Sequence, residues 1–174
     1  MSEQQTLDLA SSGVERSAVI SDDGMYRYRL ERRWAPGFTV CWVLLNPSTA
    51  DADTDDATLR RIVGFSRRMG FGRAVVVNLY AYRATDPREL WRAADPVGPD
   101  NDRHLREALA MHEVVVAWGA NAKPERIARF LEIHRSAPGA GHLHALATTA
   151  AGQPRHPLYL RGDLVMQRWR TPDA

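Results

Sequence analysis

Cysteine is the first scarcity: Cys41 is the single one in 174 residues. That excludes an internal disulfide, a four-cysteine zinc site and a cysteine-held iron–sulfur cluster. Placed inside the run Val40-Cys41-Trp42-Val43-Leu44-Leu45, it reads as a buried core thiol. Lysine is equally scarce. Lys123 is the only one, so every other member of the 23 Lys and Arg residues is arginine. This fits a GC-rich coding bias, and it also fits phosphate recognition by guanidinium forks. No window approaches the roughly 18 consecutive apolar residues of a membrane span, so no membrane association is expected. The start, Met1-Ser2-Glu3-Gln4-Gln5, is polar and acidic, unlike a secretory leader, and a cytoplasmic location is expected. Charge of one sign is lacking too. The net charge is +2, and a charge this small points to a partner only if the arginines cluster.

Familiar ligand motifs are missing as well. Gly70-Phe71-Gly72 begins like a dinucleotide fingerprint, but Val75 takes the third glycine position and the glycines precede a strand instead of following one. There is no Walker sequence. Asp51, Asp53, Asp55 and Asp56 resemble the opening of a calcium loop. Asp56, however, stands where glycine is required, and Ile62 stands at the coordinating twelfth position. The run reads as a solvated helix start that complements the helix dipole, with a catalytic or magnesium-binding acid beside Asn46 as the minor reading. His142 and His144 share one strand face but lack an acidic partner, so no metal site and no cofactor are expected.

What is present is an ordinary globular composition, 44% hydrophobic and 25% charged, at a length that suits one domain. Residues 1–16 read as a flexible arm and 17–174 as a single domain. Ala18-Val19-Ile20 and Tyr26-Arg27-Tyr28-Arg29-Leu30 flank Ser21-Asp22-Asp23-Gly24, a hairpin signal. Strands are expected at 38–45, 73–79, 113–118 and 143–148. Helices are expected at 55–69, capped by Thr54 or Asp55, at 101–111 and at 124–135. Thr85-Asp86-Pro87 reads as the cap of a helical segment holding Glu89-Leu90-Trp91. Alternating strands and helices imply parallel β-α-β units. Near-continuous apolar strands imply helices on both faces. The expected fold is α/β: a three-layer α/β/α sandwich around a four-stranded parallel sheet, with an N-terminal β-hairpin.

Three polar residues sit at strand exits, where open parallel sheets bind ligands. Asn46 follows the first apolar run, Asn78 follows Ala74-Val75-Val76-Val77, and His156 closes the segment after the last strand. Each also has a plain structural role to hand: Asn46 in a turn, Asn78 as a satisfied buried amide, His156 as a loop cap or packing residue.

Leu44-Leu45-Asn46-Pro47-Ser48-Thr49-Ala50-Asp51, Val77-Asn78-Leu79-Tyr80-Ala81, Thr85-Asp86-Pro87, Ala117-Trp118-Gly119 and Gly152-Gln153-Pro154-Arg155-His156-Pro157-Leu158-Tyr159 together resemble the bacterial and phage family called domain of unknown function 1643. More distantly, the order of elements is similar to the uracil-DNA glycosylase superfamily. Its first strand ends in Asp or Asn before Pro, its second in a base-reading Asn, and its last motif is His-Pro. That resemblance implies catalytic roles for Asn46 and His156, and base binding by Asn78. No phenylalanine follows Asn46 closely enough to be the usual base-stacking ring, and Tyr80, Tyr82 and Tyr159 are the substitutes. Ser48, Arg83, Arg155 and Arg161, each close to a motif, are the candidate nucleic-acid contacts. The implied function is a glycosylase-like, nucleobase-recognising hydrolase acting on a base in DNA or a nucleotide. The alternative is a noncatalytic nucleotide- or nucleic-acid-binding module of the same fold. A metal-dependent hydrolase using Asp51, Asp53 and the histidines is a third class. The sequence departs from the glycosylase pattern after His156-Pro157, where Leu158-Tyr159 replaces Ser-Pro. It is silent on oligomeric state.

Overall fold

A computed structural model describes residues 13–110 and 113–172 of the chain. Two antiparallel strands come first, β1 (Glu15–Ile20) and β2 (Arg27–Arg33), joined by a turn in which Gly24 takes φ 73°. That backbone conformation suits glycine and explains the Asp-Gly signal. β1 takes in Glu15 and Arg16, which the expected arm included. Residues 1–12 of that arm lie outside the described residues.

Then follow β3 (Thr39–Leu44), α1 (Ala57–Arg68), β4 (Arg73–Asn78), α2 (Pro87–Arg92), α3 (Asn101–Leu109), β5 (Glu113–Val116), α4 (Pro124–Ser136), β6 (Leu143–Ala145) and β7 (Gln167–Arg168). The sheet is mixed and seven-stranded, in the order β1-β2-β4-β3-β5-β6-β7. β3 pairs in parallel with β4 and β5, and β5 with β6. Two antiparallel additions widen the sheet beyond the four strands expected. β2 pairs with β4, so the hairpin extends the sheet itself, and β7 pairs with β6 on the far edge.

Side-chain alternation on β3 and β4 feeds two cores. Val40, Trp42, Leu44, Ala74 and Val76 pack against Leu59, Ile62 and Phe65 of α1. Cys41, Val43, Val75 and Val77 pack against Leu105, Ala108 and Leu109 of α3 and Phe130 and Ile133 of α4. Cys41 is buried as expected, and burial pushes its thiol pKa up to about 12.

The elements end earlier than the apolar runs do, because tertiary contacts redirect the exits. Ala117 N–H reaches Val43 O at 2.8 Å, while the indole N–H of Trp118 turns to Gln153 Oε1 at 3.1 Å. The chain after Ala145 bends back so that Thr148 bridges Pro154. The cap of α1 is Asp56, not Thr54 or Asp55: its Oδ1 accepts from Leu59 N–H at 2.7 Å. No helix among the described residues is long and apolar enough to cross a membrane.

Candidate functional site

Asn46 leaves β3 two residues after its last paired position. The loop that carries it is tied to the β4 exit: Leu79 N–H donates to Leu44 O, Tyr80 N–H to Leu45 O and Ala84 N–H to Pro47 O. Asn46 Nδ2 donates to Ala84 O at 2.8 Å and to Pro47 O at 3.0 Å. Two carbonyl acceptors fix which end of the amide is nitrogen, and Oδ1 is left as the free acceptor.

Two arginines of β2 hold the next stretch of this loop. Arg32, fully buried, pairs with Asp55 at 2.8 Å and donates from Nη2 to Asp51 O at 2.6 Å. Arg27 donates from Nη1 to Ala50 O. Three of the four acids in the run are engaged locally. Asp51 Oδ1 closes a turn on Asp53 N–H and Thr54 N–H, Asp55 pairs with arginine, and Asp56 caps α1.

His156 arrives from the opposite direction. Gly119 N–H donates to Pro154 O, and Arg155 N–H to Ala147 O, which lays the segment along the exits of β5 and β6. Gly119 has φ 80°, a conformation that suits glycine, and it lies in ordinary packing distance of His156. A 3-10 turn over Pro157–Tyr159 follows, held to α1 by Arg61 Nη2 on Leu160 O. His156 Nδ1 accepts from Leu158 N–H at 3.3 Å. The neutral ring then carries its proton on Nε2. Burial lowers the His156 pKa, with Asp56 opposing the shift, so the ring is neutral at neutral pH.

These pieces meet in one cleft of about 150 Å³. Its apolar floor is Leu30, Leu44, Leu59, Ile62 and Val76, and its polar wall is Arg27, Asn46, Ser48, Asp56, Thr85 and His156.

The other expected residues are placed elsewhere. Asn78 is fully buried. By alternation from Val76 it faces the α1 side, beside Leu44 in register, and it is not among the residues lining the cleft. Neither Nδ2 nor Oδ1 has a hydrogen-bond partner among the described residues. Tyr80 packs in the opposite core, its ring edge-on to Trp91 and its hydroxyl accepting from Lys123 N–H at 3.4 Å, which removes it from any base in this cleft. Tyr159 is 84% exposed on the 3-10 turn. Arg155 is exposed, Arg161 pairs with Asp163 at 2.6 Å, and Arg83 donates to Gly24 O at 3.3 Å. His144 on β6 lies 3.6 Å from Glu113 on β5, so it has an acidic neighbour that the sequence reading did not give it, and neither residue lines the cleft. Among the described residues no three His, Cys, Asp or Glu side chains come together as a metal site.

A family model described as "Protein of unknown function (DUF1643)" matches residues 27–158. The chain belongs to this family. Every residue lining the cleft, from Arg27 to His156, falls inside the matched span. No curated protein matches the chain.

Sequence reasoning missed Arg27, Thr85 and the full weight of Asp56. Thr85 was legible only as helix-capping chemistry, and Asp56 only as one acid of a run read mainly as a solvated helix start. Arg27 sits in an alternating hairpin strand, and nothing local marks it as turned inward. Its partner, the Ala50 carbonyl, is a tertiary contact 23 residues away.

Proposed function

We propose that this cleft is the reaction site of a nucleobase-recognising hydrolase, glycosylase-like in its chemistry, acting on a base in DNA or a nucleotide. One observation carries the reading: Asn46 and His156, which are 110 residues apart in sequence, line the same cleft at the carboxyl end of β3. We read the fold correspondingly as a three-layer α/β/α sandwich on the parallel strands β4, β3, β5 and β6, of the uracil-DNA glycosylase kind. Helical cores on both faces of those strands support this.

A flat base would bury one face on the apolar floor and satisfy its edges at the polar wall. Hydrolysis breaks the bond between the sugar carbon and the base nitrogen, and the bonding pair leaves with the base. A neutral His156 donates Nε2–H to the charge that develops there. Asn46 Oδ1 and the second oxygen of Asp56 hold the attacking water. Asp56 takes its proton, which then passes to the departing base. Asn78, fully buried, reads the base only if Leu44 or the β4 exit shifts.

One observation favours the noncatalytic binding module. Asp56 is engaged as a helix cap and the Asn46 nitrogen is engaged with the loop, so few groups in the cleft are chemically free. Base release separates the two readings. Oligonucleotides and nucleotides carrying uracil, hypoxanthine or modified cytosines are incubated with wild type, Asn46→Ala and His156→Ala. Release by the wild type, slowed in both variants with unchanged melting, supports the hydrolase. Binding without release leaves the module.

A further inference from the structure

Arg27 is 3% exposed and lines the cleft. Its neighbour in the same strand, Arg32, is equally buried but pairs directly with Asp55. Arg27 has no such partner: among the described residues no carboxylate oxygen lies within ion-pair distance. One nitrogen, Nη1, donates to Ala50 O, while Nε has no partner. A buried cation without a counter-charge is costly, and proteins ordinarily pair it. Burial pushes the Arg27 pKa down to about 10, with Asp56 the main opposing influence, so the group still carries its charge at neutral pH.

The first turn of α1 opens on the same cleft through Asp56, Thr58 and Leu59. The helix is 12 residues long, so its amino end carries substantial positive potential. Asp56 satisfies the Leu59 amide, whereas the amides of Ala57 and Thr58 have no intrahelical acceptor by position. Ser48, Thr58 and Thr85 add hydroxyl donors to the lining. Thus a guanidinium without a counter-charge, a helix amino end and three hydroxyls converge. Donors of this kind match the several acceptor oxygens of a tetrahedral anion. Asp56 is the one carboxylate among the residues lining the cleft.

We propose that Arg27 and the first turn of α1 form a subsite for a single phosphate group, so that the cleft takes a phosphorylated ligand, not a free nucleoside or base. This rests on the nucleobase reading for the identity of the rest of the ligand, but the phosphate subsite itself stands without it. The phosphate belongs either to a free nucleotide or to a nucleic-acid strand.

Calorimetric titration of the full chain tests it, with inorganic phosphate, uridine, uridine 5′-monophosphate and a short single-stranded oligonucleotide as probes. Inorganic phosphate should bind saturably at one site. Arg27→Gln should weaken it at least tenfold. Asp56→Asn, which keeps the helix cap, should tighten it several-fold by removing the opposing charge. The opposite signs distinguish a binding role from a folding defect. Should Arg27→Gln fail to fold, Asp56→Asn decides alone: tighter binding supports the subsite and unchanged binding overturns it. No saturable phosphate binding by the wild type, or equal affinity in a folded Arg27→Gln, also overturns it. Uridine binding as tightly as its monophosphate removes the subsite and leaves the nucleobase reading intact. Phosphate binding with no preference for the nucleotide keeps the subsite and removes uracil as the base that the cleft reads. Displacement of phosphate by the oligonucleotide assigns it to a strand, and displacement by the mononucleotide alone assigns it to a free nucleotide; either result supports the subsite.

Discussion

Replacing Asn78 with leucine should make this protein more stable. Asn78 is fully buried at the end of β4, and neither atom of its amide has a partner among the described residues. Leaving one buried polar group unpaired costs about 1–3 kcal/mol, so the two amide atoms together cost roughly 2–6 kcal/mol. Leucine is close in volume, and its neighbours Leu44 and Val76 are apolar. Imperfect shape matching offsets about 1 kcal/mol of the gain. A net stabilisation of about 3 kcal/mol is the centre, equivalent for a chain of this length to a rise in Tm of about 6–12 °C. Differential scanning calorimetry of Asn78→Leu against wild type measures it. A fall in Tm would refute the reasoning, because the amide would then be satisfied by a buried water that the polar pair requires.

Three further outcomes are expected. Burial lowers the pKa of His104, His134 and His156, so the unfolded chain takes up protons first as pH falls below the ordinary imidazole value of about 6.5. Stability should therefore decline on acidification through that window and be flat above it, and melting curves between pH 5 and 8 check this. Arg32→Met removes the pairing with Asp55 and the donation to Asp51 O, and should cost about 2–3 kcal/mol in urea unfolding, with the loop before α1 becoming sensitive to proteolysis. If a nucleic-acid strand is the ligand, Arg155→Ala and Arg161→Ala should each reduce the slope of log affinity against log salt by about one, with little change in melting.

Much of the fold was legible because the apolar runs are nearly continuous and their breaks are chemically marked. Asp-Gly announced the hairpin, Pro124 opened α4, and Asn46-Pro47 and His156-Pro157 marked two exits that do meet. What the sequence hid is tertiary. The joining of β2 to β4 depends on a strand pairing with no local signature. β7 is two residues long, too short for periodicity to show. Tyr80 follows Asn78 by two positions, which on a continuing strand would put both on one face. The chain leaves the strand after Asn78, and Tyr80 turns into the opposite core. Nothing in the hairpin pattern singled out Arg27, and its contact with Ala50 shows it in the cleft wall.

Single-turnover base release bears most directly on the central claim. With enzyme in excess over a panel of uracil-, hypoxanthine- and modified-cytosine-containing nucleotides and oligonucleotides, the wild type should liberate free base from at least one. His156→Ala should slow that step by about 10²–10³-fold, with substrate affinity and melting nearly unchanged. Absence of release from every substrate, or release at an equal rate from a folded His156→Ala, would contradict the assignment of this cleft as a nucleobase hydrolase site.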